Sequence, residues 1–244
     1  MRALSAIELL DVWERGQAQT PLERALTLLA VARAESVPER LAQLSIGRRD
    51  ALLLTLREWT FGAHFAGLAS CLACGERLEL TFEAGEIRTK TDPDPPEEFT
   101  LRVGSYEVCF RLPNSLDLVR CMDTAHLDLT RQRLLQRCLL QVRRDGTEAP
   151  PEQLPVEVME AIATHMAEAD PQADVRLALV CPQCGHHWQG AFDIGTFFWH
   201  EIDAWAQRTL REVHVLASRY GWREMDILSM SARRRQWYLD LVSA

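Results

Sequence analysis

A chain of 244 residues, 47% of them apolar and 25% charged, holds enough apolar material for one large domain or two modest ones, which excludes disorder as the default. Its 35 acidic side chains against 27 basic ones give a formal net charge of −8, a field that repels phosphate and makes nucleic acid a poor partner. No apolar run reaches the roughly 18 to 20 residues needed to cross a bilayer, and Met1-Arg2-Ala3-Leu4-Ser5 lacks the apolar core of a secretory signal. The sequence therefore predicts a soluble, cytoplasmic protein with no membrane partner.

The predicted elements begin with helices. Ser5-Ala-Ile-Glu8 has the hydroxyl and the reciprocating carboxylate of a capping box, and Ile7, Leu10 and Trp13 share one face of the helix that follows and stops at Gly16. Thr20-Pro21-Leu22-Glu23 restarts the chain with a cap, a proline at the first helical position and a second capping-box glutamate. A further helix is predicted from about Ser45 to Trp59, with Leu52, Leu53 and Leu56 as its buried stripe and Gly62 as its end. From Cys71 the period changes to two: Leu78, Leu80 and Phe82 alternate with polar residues, as in a strand with one buried face.

Thr89 to Glu98 contains Asp92-Pro-Asp-Pro-Pro-Glu-Glu98, a solvated loop or linker by composition. Phe99–Val103 and Tyr106–Leu112 flank Gly104-Ser105 and predict a β-hairpin. Helical spacing returns from about Ser115 to Val142, is broken by Asp145-Gly146 and Pro150-Pro151, and resumes near Val156 to Glu168. Val175, Leu177 and Leu179 then alternate into a second cysteine pair, and Trp188, Gly190 and Phe192 alternate out of it. Thr196 to Leu241 reads as helix with breaks at Tyr220-Gly221-Trp222 and near Ser229 to Ser231. The expected organisation is a helical region over 1–66, a β-region over 67–195 with an insert at about 99–170, and a C-terminal helical region over 196–244.

Seven cysteines are an odd number in a chain too large to need disulfide staples, and four of them form two CxxC pairs, which favours metal in a reducing compartment. Cys109, Cys121 and Cys138 stand alone among apolar neighbours and read as small core residues. Cys71-Leu-Ala-Cys74-Gly75 and Cys181-Pro-Gln-Cys184-Gly185 share one design, in which glycine supplies the positive φ that a metal knuckle needs after its second thiolate. Four thiolates suit one structural Zn²⁺ per chain and leave no open coordination position for catalysis.

The 106 residues from Gly75 to Val180 far exceed the spacing of a compact zinc ribbon. Lengthening a closed loop from about 17 to about 106 residues costs only about 1.6 kcal/mol by logarithmic scaling, against about 10 to 16 kcal/mol for a structural zinc site. The fold class predicted is thus α+β: helical ends around a zinc-ribbon-like pair of β-hairpins, split by an inserted α+β segment. The same cysteines are also compatible with buried or redox-active thiol pairs, with zinc shared between protomers, and with His186 or His187 replacing a cysteine as ligand. Fe–S clusters usually come with other cysteine spacings.

Catalytic motifs are missing. His200-Glu201 lacks the second histidine of a metalloprotease helix, Val180 stands where a zinc deaminase has proline, and no GxSxG, GxxxxGK[ST] or GxGxxG occurs. No small-molecule substrate is expected. Arg233-Arg234-Arg235 beside Trp237 and Tyr238 could be read as part of a DNA-binding helix, but the acidic total favours a protein-docking face or an ordinary solvated helix.

Several segments carry a family resemblance: Glu8-Leu-Leu-Asp-Val-Trp-Glu-Arg-Gly16, Gly47-Arg-Arg-Asp-Ala-Leu-Leu-Leu54, Cys71-Leu-Ala-Cys-Gly-Glu-Arg-Leu-Glu-Leu80, Phe110-Arg-Leu-Pro-Asn-Ser-Leu-Asp117 and the region from Tyr220-Gly-Trp222 to Tyr238-Leu239. Together they resemble the baseplate-hub assembly protein family of T-even-like phages, which also occurs in phage-derived contractile injection systems. The resemblance implies a non-enzymatic assembly factor or minor component of a contractile-tail baseplate, with other baseplate or tail proteins as partners and a place in a phage-tail-like particle. It brings no catalytic residues. The alternative reading of the cysteines is a zinc-ribbon nucleic-acid-binding protein.

Overall fold

The computed structural model describes residues 1–33, 38–89, 96–121 and 127–243. The acidic, proline-rich loop predicted between Thr89 and Glu98 falls mostly outside them.

Both capping boxes form. The Ser5 hydroxyl accepts from the Glu8 N–H (3.3 Å) and the Glu8 carboxylate accepts from the Ser5 N–H (2.9 Å), opening α1 (Ala6–Gly16). Thr20 and Glu23 repeat the arrangement at the start of α2 (Pro21–Ala32). The buried residues of α1 are Leu9, Leu10, Val12 and Gly16; of the predicted face, Leu10 is buried and Trp13 packs on the core, but Ile7 is exposed. Gly16 closes the helix as expected, for a packing reason: a Cβ there would lie 2.1 Å from the Trp199 ring. A short α3 (Pro38–Gln43) precedes α4 (Ile46–Phe61), which is capped by the Ser45 hydroxyl and ended by Gly62 at φ 92°.

Next come β1 (His64–Ser70) and β2 (Arg77–Glu83), antiparallel with Phe65 opposite Phe82 and Ser70 opposite Arg77, then the single turn α5 (Ala84–Ile87). The predicted hairpin is present as β3 (Phe99–Val103) and β4 (Tyr106–Phe110), turning at Gly104 with φ 58°.

The long helix predicted from Ser115 to Val142 needs correction. The described parts are α6 (Ser115–Cys121) and α7 (Leu127–Cys138), after which the chain becomes strand β5 (Leu139–Arg144), paired with β4. Asp145 and Gly146, at φ 50° and 81°, reverse the chain into β6 (Thr147–Glu148), so this dipeptide is the two-residue turn of a hairpin with positive φ at both positions. The resulting sheet has the order β3-β4-β5-β6, and α8 (Val156–Ala169) lays Val158, Ile162 and Met166 on it. The second cysteine hairpin is β7 (Arg176–Val180) and β8 (His187–Ala191), followed by α9 (Ile194–Tyr220), α10 (Glu224–Leu228) and α11 (Ala232–Ser243).

The main core draws on both ends of the chain: Leu9, Val12, Leu28, Leu29, Leu53, Leu54 and Leu56 meet Phe198 and Ile202 of α9, with Phe65 of β1 between them. A second core lies under the inserted sheet, where Val108, Phe110, Leu135, Cys138, Val142 and Ile162 pack. Cys121 and Cys138 are buried as expected; Cys109 is only half-buried, with its thiol 3.6 Å from the Glu98 carboxylate. Asp170 docks the end of the insert onto α4, accepting from the Gly47 N–H (2.8 Å), and Gln172 holds the chain that follows α5, accepting from the Thr89 N–H (2.8 Å).

Candidate metal centre

Each cysteine pair sits at the tip of a two-stranded hairpin, and the two tips are built alike. In the first, the Cys71 N–H donates to the Glu76 carbonyl (2.8 Å) and the Gly75 N–H returns to the Cys71 carbonyl (2.9 Å). In the second, the Cys181 N–H donates to the His186 carbonyl (2.9 Å) and the Gly185 N–H to the Cys181 carbonyl (2.9 Å). Gly75 and Gly185 have φ of 76° and 70°, the left-handed conformation predicted for them.

The hairpins face each other so that all four sulfurs converge. The Sγ atoms of Cys71, Cys74, Cys181 and Cys184 lie within 4.8 Å of one another, with Cys71 3.7 Å from Cys184 and Cys74 3.6 Å from Cys181. The first cysteine of each pair is buried and the second exposed, so the cluster has a covered side, made with Leu78, Leu80 and Trp188, and an open one. His186 stacks on Trp188, ring centroids 5.7 Å apart, and among the described residues the converging ligand atoms are the four sulfurs.

Cys71, Cys74 and Cys184 differ in how readily they lose a proton. Burial pushes the Cys71 thiol up, but the N–H groups of Cys74 and Ala73 outweigh it and hold that thiol down to about 7. The Glu76 N–H favours a thiolate at Cys74, yet the crowding Cys184 thiol and burial push it up to about 12, and Cys184 is raised as well. Adjacent thiolates repel, so a donor set of this kind can hold a metal ion, which supplies the missing positive charge.

Other sequence candidates are distributed differently. Glu201 is taken up by Arg57 (Nε–Oε2 2.8 Å). It borders a groove of about 570 Å³ between the hairpins whose walls are largely apolar, including Leu80, Phe82, Leu179 and Trp188. The arginine run divides: Arg235 is buried against Glu212 (3.0 Å), whereas Arg233 and Arg234 are exposed. Tyr238 packs on Trp222, with centroids 4.8 Å apart, and Trp237 points outward, 70% exposed. Among the described residues no helix is long and apolar enough to cross a membrane.

Fold and site together define a class, an α+β protein with helices at both ends and small antiparallel sheets, in which two hairpins distant in sequence bring four free thiols together. Over residues 23–199 the chain matches the family model described as T4 bacteriophage base plate protein, and it belongs to that family. The matched span contains all four cysteines and ends inside α9, and it bears out the family resemblance; the segments from Gly47, Cys71 and Phe110 lie within it, and those at 8–16 and 220–239 lie outside. No curated protein matches the chain, and no solved structure does.

Proposed function

We propose that this chain is a non-enzymatic assembly factor or minor structural component of the baseplate of a contractile phage tail or phage-like injection system, stabilised by one structural Zn²⁺ per chain. The baseplate role is carried by the family match over residues 23–199, and its partners are other baseplate or tail proteins. Zinc is supported by the convergence of four sulfurs within 4.8 Å, a soft donor set of the number that fills a structural zinc site and would leave no position for a substrate. Cys71, Cys74, Cys181 and Cys184 are its ligands, and zinc ties together two hairpins that the chain alone connects only through the whole insert. Exposed Glu76 and Glu79 beside the first knuckle weigh against a zinc-ribbon nucleic-acid binder, whereas Glu83 lies at the far end of the hairpin, opposite His64.

Two measurements test the reading separately. Elemental analysis of protein purified under reducing conditions is expected to give one zinc per chain, with loss of metal and a large drop in melting temperature in Cys71→Ser and Cys181→Ser. Metal-free protein with four freely titrating thiols and unchanged stability would overturn the zinc assignment. For the role, deletion of the gene should leave tail fibres or sheaths without functional baseplates, restored by the gene in trans. Normal particles from the deletion would overturn it.

A further inference from the structure

Helix α11 turns one flank inward and leaves the other in solvent. Inward, Arg235 is 4% exposed and its guanidinium donates to the Glu212 carboxylate (3.0 Å) and the Met230 carbonyl (2.8 Å), while Tyr238 packs on Trp222. Outward lie Arg233, Arg234, Trp237, Asp240 and Leu241, with Trp237 70% and Leu241 57% exposed. At about 100° per residue these five fall on one face of the helix.

That face is complementary to itself. Reversed about Trp237, Arg234 falls on Asp240 and Arg233 on Leu241, so an antiparallel copy sets a carboxylate against a guanidinium twice and indole against indole. A parallel copy would instead set arginine against arginine. The electrostatic setting is unusual for this chain: residues 204–244 carry seven arginines against four acids, net +3, leaving −11 on residues 1–203. Repulsion at this basic pole is relieved where Asp240 meets Arg234.

We infer that the outer face of α11 is a contact between two copies of this chain, related by a twofold axis near Trp237. The inference is independent of the metal reading and goes beyond the baseplate role, since α11 lies outside the matched residues 23–199. One 12-residue helix per copy makes a contact at the small end of specific interfaces, below about 1,200 Å² in total. The dimer is therefore reversible and concentration-dependent.

Sedimentation velocity of the full chain from about 1 to 100 µM, the range in which weak association is read, is expected to show a monomer–dimer equilibrium that weakens with salt. Arg234→Glu and Asp240→Arg should each weaken it about tenfold or more, and Trp237→Ala should abolish it, with melting temperatures close to that of the parent chain. The double variant Arg234→Glu/Asp240→Arg should restore association, because both intermolecular pairs re-form with reversed sign. Positions six apart do not face each other within one helix, so a restored dimer reports the contact between copies. Monomer at every concentration, a dimer indifferent to these changes, or a double variant weaker than either single one would overturn the inference. So would a monomer that uses Trp237 to bind a purified baseplate subunit, or Arg233 and Arg234 to bind duplex DNA in a gel shift.

Discussion

Arg57 and Glu201 stand 144 positions apart and meet in a two-pronged ion pair, Nε to Oε2 at 2.8 Å and Nη2 to Oε1 at 2.5 Å. The same guanidinium donates to the Gly62 carbonyl (2.6 Å) and lies 3.6 Å from the centre of the Phe65 ring. One buried cation thus fixes the end of α4, the start of the first hairpin and the first turns of α9 against one another. Removing one partner leaves the other uncompensated. Arg57→Ala is expected to lower the stability of the folded chain by about 3 to 5 kcal/mol, measured by urea denaturation. Arg57→Lys should recover only part of it, because an ammonium lacks the planar fork.

Asp170 gives a pH-dependent outcome. Burial pushes its carboxyl up, against the pull of the Gly47 N–H, the Ser45 hydroxyl and the Arg49 charge. The folded chain therefore holds this proton more tightly than the unfolded chain does. Its contribution to stability is full below the unfolded value, near pH 4, and is lost as pH rises through the raised folded value. Asp170→Asn keeps an acceptor for Gly47 without the buried charge, so its stability relative to the parent chain should rise between about pH 4 and neutrality. A pH-independent difference between the two denaturation series would refute this. Asp170→Ala, which leaves the Gly47 N–H unpaired, should cost about 1 to 3 kcal/mol.

Two glycines give a matched comparison. Gly75 has φ 76°, and nothing lies within 4 Å of a Cβ placed there; Gly85, in α5, is equally open but has no positive φ. Gly75→Ala should cost about 1 to 2 kcal/mol, from backbone strain alone, and weaken metal retention in a chelator competition. Gly85→Ala should be neutral or stabilise the chain by up to about 1 kcal/mol. Equal effects would show that the knuckle turn does not depend on the left-handed residue.

Local chemistry was the legible part of this fold. Ser5 with Glu8, Thr20 with Glu23, Gly104 and the two CxxC-Gly motifs each specify a short piece of backbone through side chains within a few residues, and the structure has each of them. Strand β1 escaped notice because Ala66, Gly67 and Ala69 are poor strand formers; it exists because β2 supplies a partner and Phe65 a buried anchor. Strand β5 was hidden in apolar residues that continue the spacing of α7. The available signal was Asp145-Gly146, a hairpin dipeptide that read only as a break. At the site, the matched CxxC-Gly motifs made both the four cysteines and their convergence across the insert legible; which sulfurs are covered, by Leu78, Leu80 and Trp188, depends on packing and was not. The Arg57–Glu201 pair left no mark in sequence, since nothing local to either residue points to the other.

The distance between the two knuckles has a consequence for synthesis. Cys74 and Cys181, whose sulfurs end up 3.6 Å apart, are 107 residues apart in the chain. At roughly 5 to 20 residues per second, a nascent chain presents its first pair of thiols about 5 to 20 s before the second pair exists. During that interval the half-site has only two of its four sulfurs, and helix α9, which completes the main core, is still unmade. Vectorial synthesis therefore sets a limit on timing: the sulfur cluster cannot close, nor the main core be completed by α9, until translation is near its end.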